Sequence, residues 1–77
     1  MKYKNRITTD SEILGGKPII KGTRISVEFI LELYASGAAK EEILRSYPHL
    51  SEEDIHAVLS YATQFLRNEI VLDLNTA

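Results

Sequence analysis

The residues best suited to chemistry lie in one short stretch, GGKPIIKGTRISV, which runs from Gly15 to Val27. It carries two lysines, an arginine and three of the chain's four glycines, a composition found in phosphate-binding loops. A nucleotide-binding loop needs four residues between its glycines and a lysine directly after the second one. Here five residues separate Gly16 from Gly22, and Thr23 stands where that lysine should be. The spacing therefore argues against a phosphate-binding loop, and we expect no nucleotide or other cofactor.

Side chains that could form a catalytic or metal site are scattered. The chain has no cysteine, which excludes thiolate nucleophiles, thiolate metal ligands and disulfides. Its two histidines are isolated: His49 follows a proline in a turn, and His56 falls on the polar side of a predicted helix. A zinc site needs three or four ligands at a recognisable spacing. We therefore expect surface histidines, no metal site and no enzymatic activity.

Positive charge is concentrated in the first third of the chain. Residues 1–24 carry six basic and two acidic side chains, a net charge of +4, whereas residues 25–77 carry three basic and nine acidic ones, a net charge of −6. This asymmetry indicates a polyanionic or acidic partner for the first third, with a solvated basic arm as the alternative. The candidate nucleic-acid or partner-binding residues are the six cations, Lys2, Lys4, Arg6, Lys17, Lys21 and Arg24.

The length and composition of the chain are those of one small globular domain. It has 77 residues, of which 44% are hydrophobic, and no apolar run long enough to span a bilayer. The basic amino terminus has no apolar segment behind it, so we expect no signal peptide and a cytoplasmic location. Because so short a chain buries only a modest core, we expect a homodimer that gains core from its partner.

The six cations belong to a segment without helical periodicity. Residues 3–9 and 17–25 favour extended structure, and the glycines between and within them are turn signals. We expect a small hairpin or ribbon, in one chain or shared between two, since an isolated hairpin is marginal in water. Two-stranded ribbons of dimers enter DNA grooves, so Lys17, Lys21 and Arg24 are candidates for groove contacts. Lys2, Lys4 and Arg6 are candidates for a flexible arm that contacts the DNA phosphate backbone.

From Ser26 onward, the apolar residues recur at the three- and four-residue spacing of helices. The first helix has Ser26 as its N-cap and Gly37 as its closing residue. A second, short helix carries Glu41 and Glu42 in its first turn, where the helix dipole favours negative charge. It ends at Pro48.

The third helix has the clearest start. Ser51 and Asp54 match a capping box, and Leu50 and Ile55 occupy the positions of a hydrophobic staple. If its apolar stripe is core, Leu59→Ala should destabilise the protein by roughly 2–5 kcal/mol. The stripe that we expect to be buried consists of Ile55, Val58, Leu59, Ala62, Phe65 and Leu66.

These elements predict a single domain over residues 1–77 of the mainly α class. A basic β-hairpin or ribbon occupies residues 1–25, and a three-helix bundle occupies residues 26–68. The third helix should fray near Asn68, which leaves residues 69–77 as a short extended tail or terminal strand.

The order of the helices is that of a helix-turn-helix bundle, although a plain three-helix bundle has the same periodicity. A recognition helix places its amino-terminal residues against base edges and phosphates. Those residues are Glu52, Glu53 and Asp54, which phosphates would repel. The sequence therefore predicts the geometry of a helix-turn-helix DNA-binding protein, but not the positive charge that its recognition helix would need.

Three pieces of the sequence, taken together, resemble a known family. They are GGKPIIKGTRISV, the G-x-x-x-E-E-I of Gly37 to Ile43, and YPHLSEEDI from Tyr47 to Ile55. The stretch from about Arg6 to Leu66 is similar to the small bacterial and archaeal family known as domain of unknown function 433. The resemblance implies a homeodomain-like three-helix fold with an amino-terminal β element, commonly dimeric.

The resemblance also implies a function. Members are regarded as antitoxins and are frequently encoded beside a small toxin that resembles PIN-type ribonucleases. No catalytic residues are assigned to the family, so none carries over to this chain. We therefore expect a non-enzymatic antitoxin of a type II toxin–antitoxin system, with autoregulatory DNA binding as an accompanying role. The alternatives are a stand-alone DNA-binding regulator and an adaptor bundle that does not bind DNA.

Two parts of the chain are candidates for the toxin contact. PIN-type toxins would hold metal with clustered carboxylates, which a cationic segment bearing Lys17, Lys21 and Arg24 would cover electrostatically. An extended segment over residues 70–74 would instead bind by strand addition or in a groove.

Overall fold

Three helices and a two-stranded antiparallel hairpin make up the part of the chain that the structure describes. This computed structural model describes the backbone of residues 5–76 and the side chains of residues 5–67, so Lys2 and Lys4 lie outside it. The predicted mainly α class with an amino-terminal hairpin is confirmed. In chain order the elements are β1 (Ile7–Thr8), a 3-10 turn (Leu14–Gly16), β2 (Ile19–Ile20), α1 (Val27–Ala35), α2 (Lys40–Ser46) and α3 (Glu52–Thr76).

Strand β2 makes backbone contacts on both of its edges. On one side it pairs antiparallel with β1, which places Ile7 opposite Ile20. On the other side the Ile20 N–H donates to the Ile25 carbonyl at 2.9 Å, and Ile19 forms an antiparallel bridge with Ser26. Both side chains of β2 are buried. The hairpin therefore forms within one chain and contributes to its core.

A tight turn follows β2, and we call residues 21–24 the β2 turn. Gly22 has a φ of 81°, a left-handed conformation that glycine adopts without a steric penalty. The Thr23 hydroxyl donates to the Ile20 carbonyl at 2.7 Å and accepts a hydrogen bond from the Ile25 N–H at 2.9 Å. These bonds tie the turn to the residues before and after it.

Helix α1 begins and ends as the sequence predicts. The Ser26 hydroxyl accepts a hydrogen bond from the Phe29 N–H at 2.9 Å, which satisfies one of the free N–H groups of the first turn. At the other end Gly37 has a φ of 102°, and its N–H donates to the Tyr34 carbonyl at 3.0 Å. A left-handed residue at this position lets the chain leave the helix with its last carbonyls bonded.

The predicted start of α3 is also confirmed. The Asp54 N–H donates to Ser51 Oγ at 3.2 Å, and the Ser51 N–H donates to Asp54 Oδ2 at 3.0 Å, which completes the capping box. Leu50 and Ile55, at the staple positions, are both buried.

One apolar cluster joins the hairpin to the helices. Its members come from β2, from all three helices and from the residues that flank them: Ile20, Val27, Ile30, Ile43, Leu50, Ile55 and Val58. Full burial of an aliphatic side chain of this size contributes roughly 1.5–3 kcal/mol. The cluster therefore stabilises the fold more than any exposed ion pair, which contributes about 0–1 kcal/mol.

The apolar stripe of α3 is buried only in part, which corrects the prediction. Leu59, Phe65 and Leu66 are exposed by 41%, 57% and 46%. Leu59 lies on the side of α3 that adjoins Lys40 and Glu52. For Phe65 and Leu66 the cause is a difference in length, because α1 has 9 residues and α3 has 25. At 1.5 Å per residue, α3 is about 24 Å longer than the helix that packs against it. Every residue from Thr63 to Arg67 is exposed, so α3 leaves the body of the protein there.

Two predictions for the end of the chain are wrong over the residues that the structure describes. Helix α3 does not end near Asn68, and the residues after it do not form an extended tail. The backbone is helical to Thr76. Ile70 and Val71 favour a strand, but their cost in a helix is only about 0.5 kcal/mol each. Once a helix is nucleated, each added residue forms one more hydrogen bond, and no glycine or proline interrupts this one. Over the described residues, no helix is both long and apolar enough to cross a membrane.

The difference in burial along α3 gives a stability prediction. Ile55→Ala should lower the free energy of unfolding by about 2–5 kcal/mol, because it empties a fully buried position. Leu59→Ala, at an exposed position of the same helix, should cost about 1 kcal/mol or less. Urea unfolding followed by circular dichroism measures both. Equal losses for the two variants would contradict the burial that the structure shows.

The capping box gives a second prediction. Ser51→Ala should cost on the order of 1 kcal/mol, since the Asp54 N–H loses its partner at the start of α3. Ser60→Ala, in the interior of the same helix, is the matched control and should not weaken the helix, because alanine has the better helix propensity. Both free energies of unfolding come from the same urea titrations, and indistinguishable values would refute a stabilising cap.

Candidate functional site

The β2 turn presents two cations to solvent. The side chains of Lys21 and Arg24 are exposed. Neither forms a hydrogen bond or an ion pair with any of the residues whose side chains the structure describes. The backbone beneath them is fixed, since the Lys21 N–H donates to the Arg6 carbonyl at 2.7 Å. The ordered turn therefore carries two positive charges, three residues apart, that have no ion-pair partner among the described side chains.

Two other predicted binding residues, Arg6 and Lys17, have their charges matched within the chain. Arg6 Nη1 donates to Asp54 Oδ1 at 3.0 Å, which links the residue before β1 to the first turn of α3. Lys17 Nζ donates to Glu28 Oε1 at 2.9 Å, which links the residues before β2 to α1. Of the six predicted binding residues, the four that the structure describes thus divide into two that are paired within the chain and two, Lys21 and Arg24, that have no ion-pair partner among the described side chains.

The ion pair of Lys17 also affects its titration. The hydrogen bond to Glu28 and the negative charge of that carboxylate raise the pKa of Lys17 above its ordinary value, and Glu32 adds to the effect. The ammonium group therefore stays charged and paired at physiological pH. A partner that used Lys17 would have to compete with Glu28.

The first turn of α3 is acidic, as predicted. Glu52 and Glu53 are exposed, and Asp54 is held by the capping box and by Arg6. Glu52 Oε2 lies 2.8 Å from Lys40 Nζ. The hydrogen bond from that ammonium and its positive charge lower the pKa of Glu52, so the carboxylate stays ionised. This end of α3 is therefore ill suited to a phosphate backbone.

The described side chains contain no arrangement typical of a metal site. Within residues 5–67, no three histidine or acidic side chains lie together in a way that could hold a metal ion. His49 and His56 are exposed, as predicted.

A second surface, which the sequence did not predict, is apolar. It is an open groove of about 430 Å³ between α1, the residues before β2 and the part of α3 that leaves the body. Its charged residues are Lys17 and Glu28, which neutralise each other. The signal in the sequence was an apolar stripe on α3 longer than a nine-residue helix can cover. We call this surface the α1–α3 face, and its apolar residues include Pro18, Val27, Leu31, Ala62, Phe65 and Leu66.

Comparison with known proteins identifies relatives but no activity. Residues 7–62 match the model of a family described as "Protein of unknown function (DUF433)". The chain is 36% identical over 56 residues to the uncharacterized protein y4eO of Sinorhizobium fredii (strain NBRC 101917 / NGR234), which covers 73% of this chain and 25% of that protein. The crystal structure of a DUF433 member protein from Anabaena variabilis ATCC 29413 is 32% identical, with a TM-score of 0.78. That match covers 84% of this chain and 64% of the other. The chain thus spans about a quarter of the length of the first relative and less than two thirds of the second.

The pairing of Glu52 with Lys40 gives a prediction for pH dependence. A lowered pKa in the folded state means that the pair adds stability above the ordinary glutamate pKa and loses it as pH falls through the lowered value. Carboxyl NMR titration should show Glu52 ionising below its ordinary pKa. Lys40→Ala should return the Glu52 pKa towards that value. Lys17→Ala, which removes a lysine from a different ion pair, should leave it unchanged. If the Glu52 pKa were the same in Lys40→Ala as in the native chain, the two side chains would not be paired in solution.

Proposed function

The chain belongs to the DUF433 family of proteins of unknown function, and we propose that it acts as a non-enzymatic antitoxin. In this proposal a cytoplasmic homodimer binds a cognate PIN-like ribonuclease toxin and neutralises it. The proposal rests on the family resemblance and on one structural observation, the unmatched cations Lys21 and Arg24 on the ordered β2 turn.

The chemistry of the two cations suits an acidic partner. A toxin that holds metal ions with clustered carboxylates has a strongly negative site. An arginine can bind a carboxylate through two parallel hydrogen bonds, while a lysine acts as a compact positive charge. Because Lys21 and Arg24 have no partner among the described side chains, binding would not require an internal ion pair to break. The fixed backbone of the turn also lowers the entropy lost on binding.

DNA binding by a homeodomain-like helix-turn-helix is the competing function, and the acidic start of α3 disfavours it. In such a fold, α3 would be the recognition helix, with Glu52 and Glu53 facing the phosphates. If the protein also binds its own promoter as an autoregulator, the contacts should come from the β2 turn. An adaptor bundle that binds no DNA and no toxin is the third alternative.

The toxin contact is tested by reversing the two charges. The chain is co-expressed with the product of the neighbouring open reading frame, and the complex is measured by co-purification and by rescue of growth. Lys21→Glu with Arg24→Glu should weaken the complex by 100-fold or more (about 3 kcal/mol), because two attractive contacts become repulsive. Arg45→Glu with Arg67→Glu makes the same change in net charge at exposed helical positions and should leave the complex intact.

The outcomes separate the alternatives. No complex and no growth rescue by the native chain would refute an antitoxin function for this gene pair. Equal effects of the two double variants would show that net charge, rather than the β2 turn, attracts the partner. Salt-dependent binding to the promoter that strengthens with Glu52→Lys and Glu53→Lys would favour the DNA-binding regulator instead.

A further inference from the structure

We infer that the groove beside the β2 turn binds a protein segment in which a carboxylate stands next to a large apolar side chain. The groove is open, has a volume of about 470 Å³, and lies between the 3-10 turn, the first part of α1 and the end of α2. We call it the Leu14 groove. Arg24 lines part of it, so the inference deepens the proposed function by giving the chemistry of the segment that Arg24 would meet. It rests on the proposed function for the identity of the partner.

Leu14 carries an exposed apolar side chain on a backbone that does not favour leucine. Its φ is 51°, in the left-handed region, and Gly15 and Gly16 follow at 66° and 87°. The glycines adopt this conformation without steric cost, whereas a leucine is strained there. The Leu14 side chain is 41% exposed, so burial offsets only part of that strain. Strained residues of this kind are concentrated at binding sites, and this one lines a groove.

Phe29 and Tyr47 give the groove an ordered aromatic wall. Their ring centroids are 5.8 Å apart and their planes meet at 89°, an edge-to-face arrangement that stabilises both ring orientations. Phe29 is 36% exposed, and its N–H is held by the Ser26 hydroxyl. An apolar side chain that packs against this wall meets groups that are already in place, which lowers the entropy lost on binding.

The charges of the groove discriminate between classes of partner. Lys17 is paired with Glu28 at 2.9 Å, and Glu32 adds further negative charge beside it. Arg24 has no ion-pair partner among the described side chains. A nucleic-acid strand carries a phosphate at every nucleotide, and the two glutamates would repel it. A protein segment with one carboxylate can instead bind Arg24 through two parallel hydrogen bonds and place a neighbouring apolar side chain against the aromatic wall.

Peptide selection tests the inference without knowledge of the partner. A phage library of short random peptides is selected on the native chain, and the enriched peptides are synthesised with a fluorescent label and measured by anisotropy. The enriched sequences should share an aspartate or glutamate next to a leucine, phenylalanine or tryptophan. Replacing that acidic residue by lysine should abolish binding to the native chain. Arg24→Glu should reverse this preference and bind the lysine form better.

Two substitutions with matched controls assign the contacts. Leu14→Asn removes the apolar side chain but keeps a residue that tolerates the left-handed conformation, and Leu59→Asn makes the same change at a leucine that is also 41% exposed. Arg24→Gln removes a guanidinium group, and Arg45→Gln does the same at an exposed position of α2. Leu14→Asn and Arg24→Gln should each raise the peptide dissociation constant by at least about tenfold, and the controls should leave it unchanged. Urea unfolding of Leu14→Asn should match that of the native chain.

Three results would overturn the inference. They are a selection that enriches no peptide, enriched peptides that lack either the acidic or the large apolar residue, and binding that Leu14→Asn and Arg24→Gln weaken no more than their controls do.

The antitoxin function is measured separately, from the complex with the product of the neighbouring open reading frame. If that complex is lost with Lys21→Glu and Arg24→Glu but unchanged by Leu14→Asn, the antitoxin function stands and the groove inference fails. If no complex forms but peptides bind the groove as described, the groove inference stands and the antitoxin function fails.

Discussion

Ser26 connects the two halves of the fold. Its backbone pairs with Ile19 of β2, and its buried hydroxyl caps α1. Because both contacts act on one residue, β2 cannot rotate relative to α1 without breaking one of them. Both candidate surfaces take their position from this residue. The β2 turn ends two residues before it, and the α1–α3 face includes Val27, the residue directly after it.

The structure distinguishes cations that are paired with a carboxylate of the same chain from cations that have no such partner among the described side chains. Pairs such as Lys17 with Glu28 and Lys40 with Glu52 are exposed, and each contributes little to stability. Their larger effect is on the surface, because each one removes a cation from the set that could attract an anion. The net charge of a segment is thus a poor measure of the charge that it presents to a partner, when carboxylates on other elements pair with its cations.

The features that the sequence predicted correctly are those decided within a few residues. The caps at Ser26 and Ser51 depend on residues no more than three positions away, and so does the closing role of Gly37. The features that it missed depend on distant parts of the chain. Burial along α3 is limited by the length of α1, and the charge of Lys17 is matched by a residue 11 positions later. No local pattern contains that information. The helical state beyond Asn68 was missed for another reason, because local strand preference is weaker than the propagation of an established helix.

The ion pair between Arg6 and Asp54 has a consequence for the order of assembly. The two residues are 48 positions apart, and closing a flexible loop of that length costs roughly 3 kcal/mol in chain entropy. The β2 turn and the cap of α1 lie within residues 18–29 and do not bear that cost. We therefore expect these local contacts to form before Arg6 reaches Asp54. Because the Lys21 N–H donates to the Arg6 carbonyl, the β2 turn of a chain still being synthesised would reach its final geometry only when the amino-terminal strand pairs with β2.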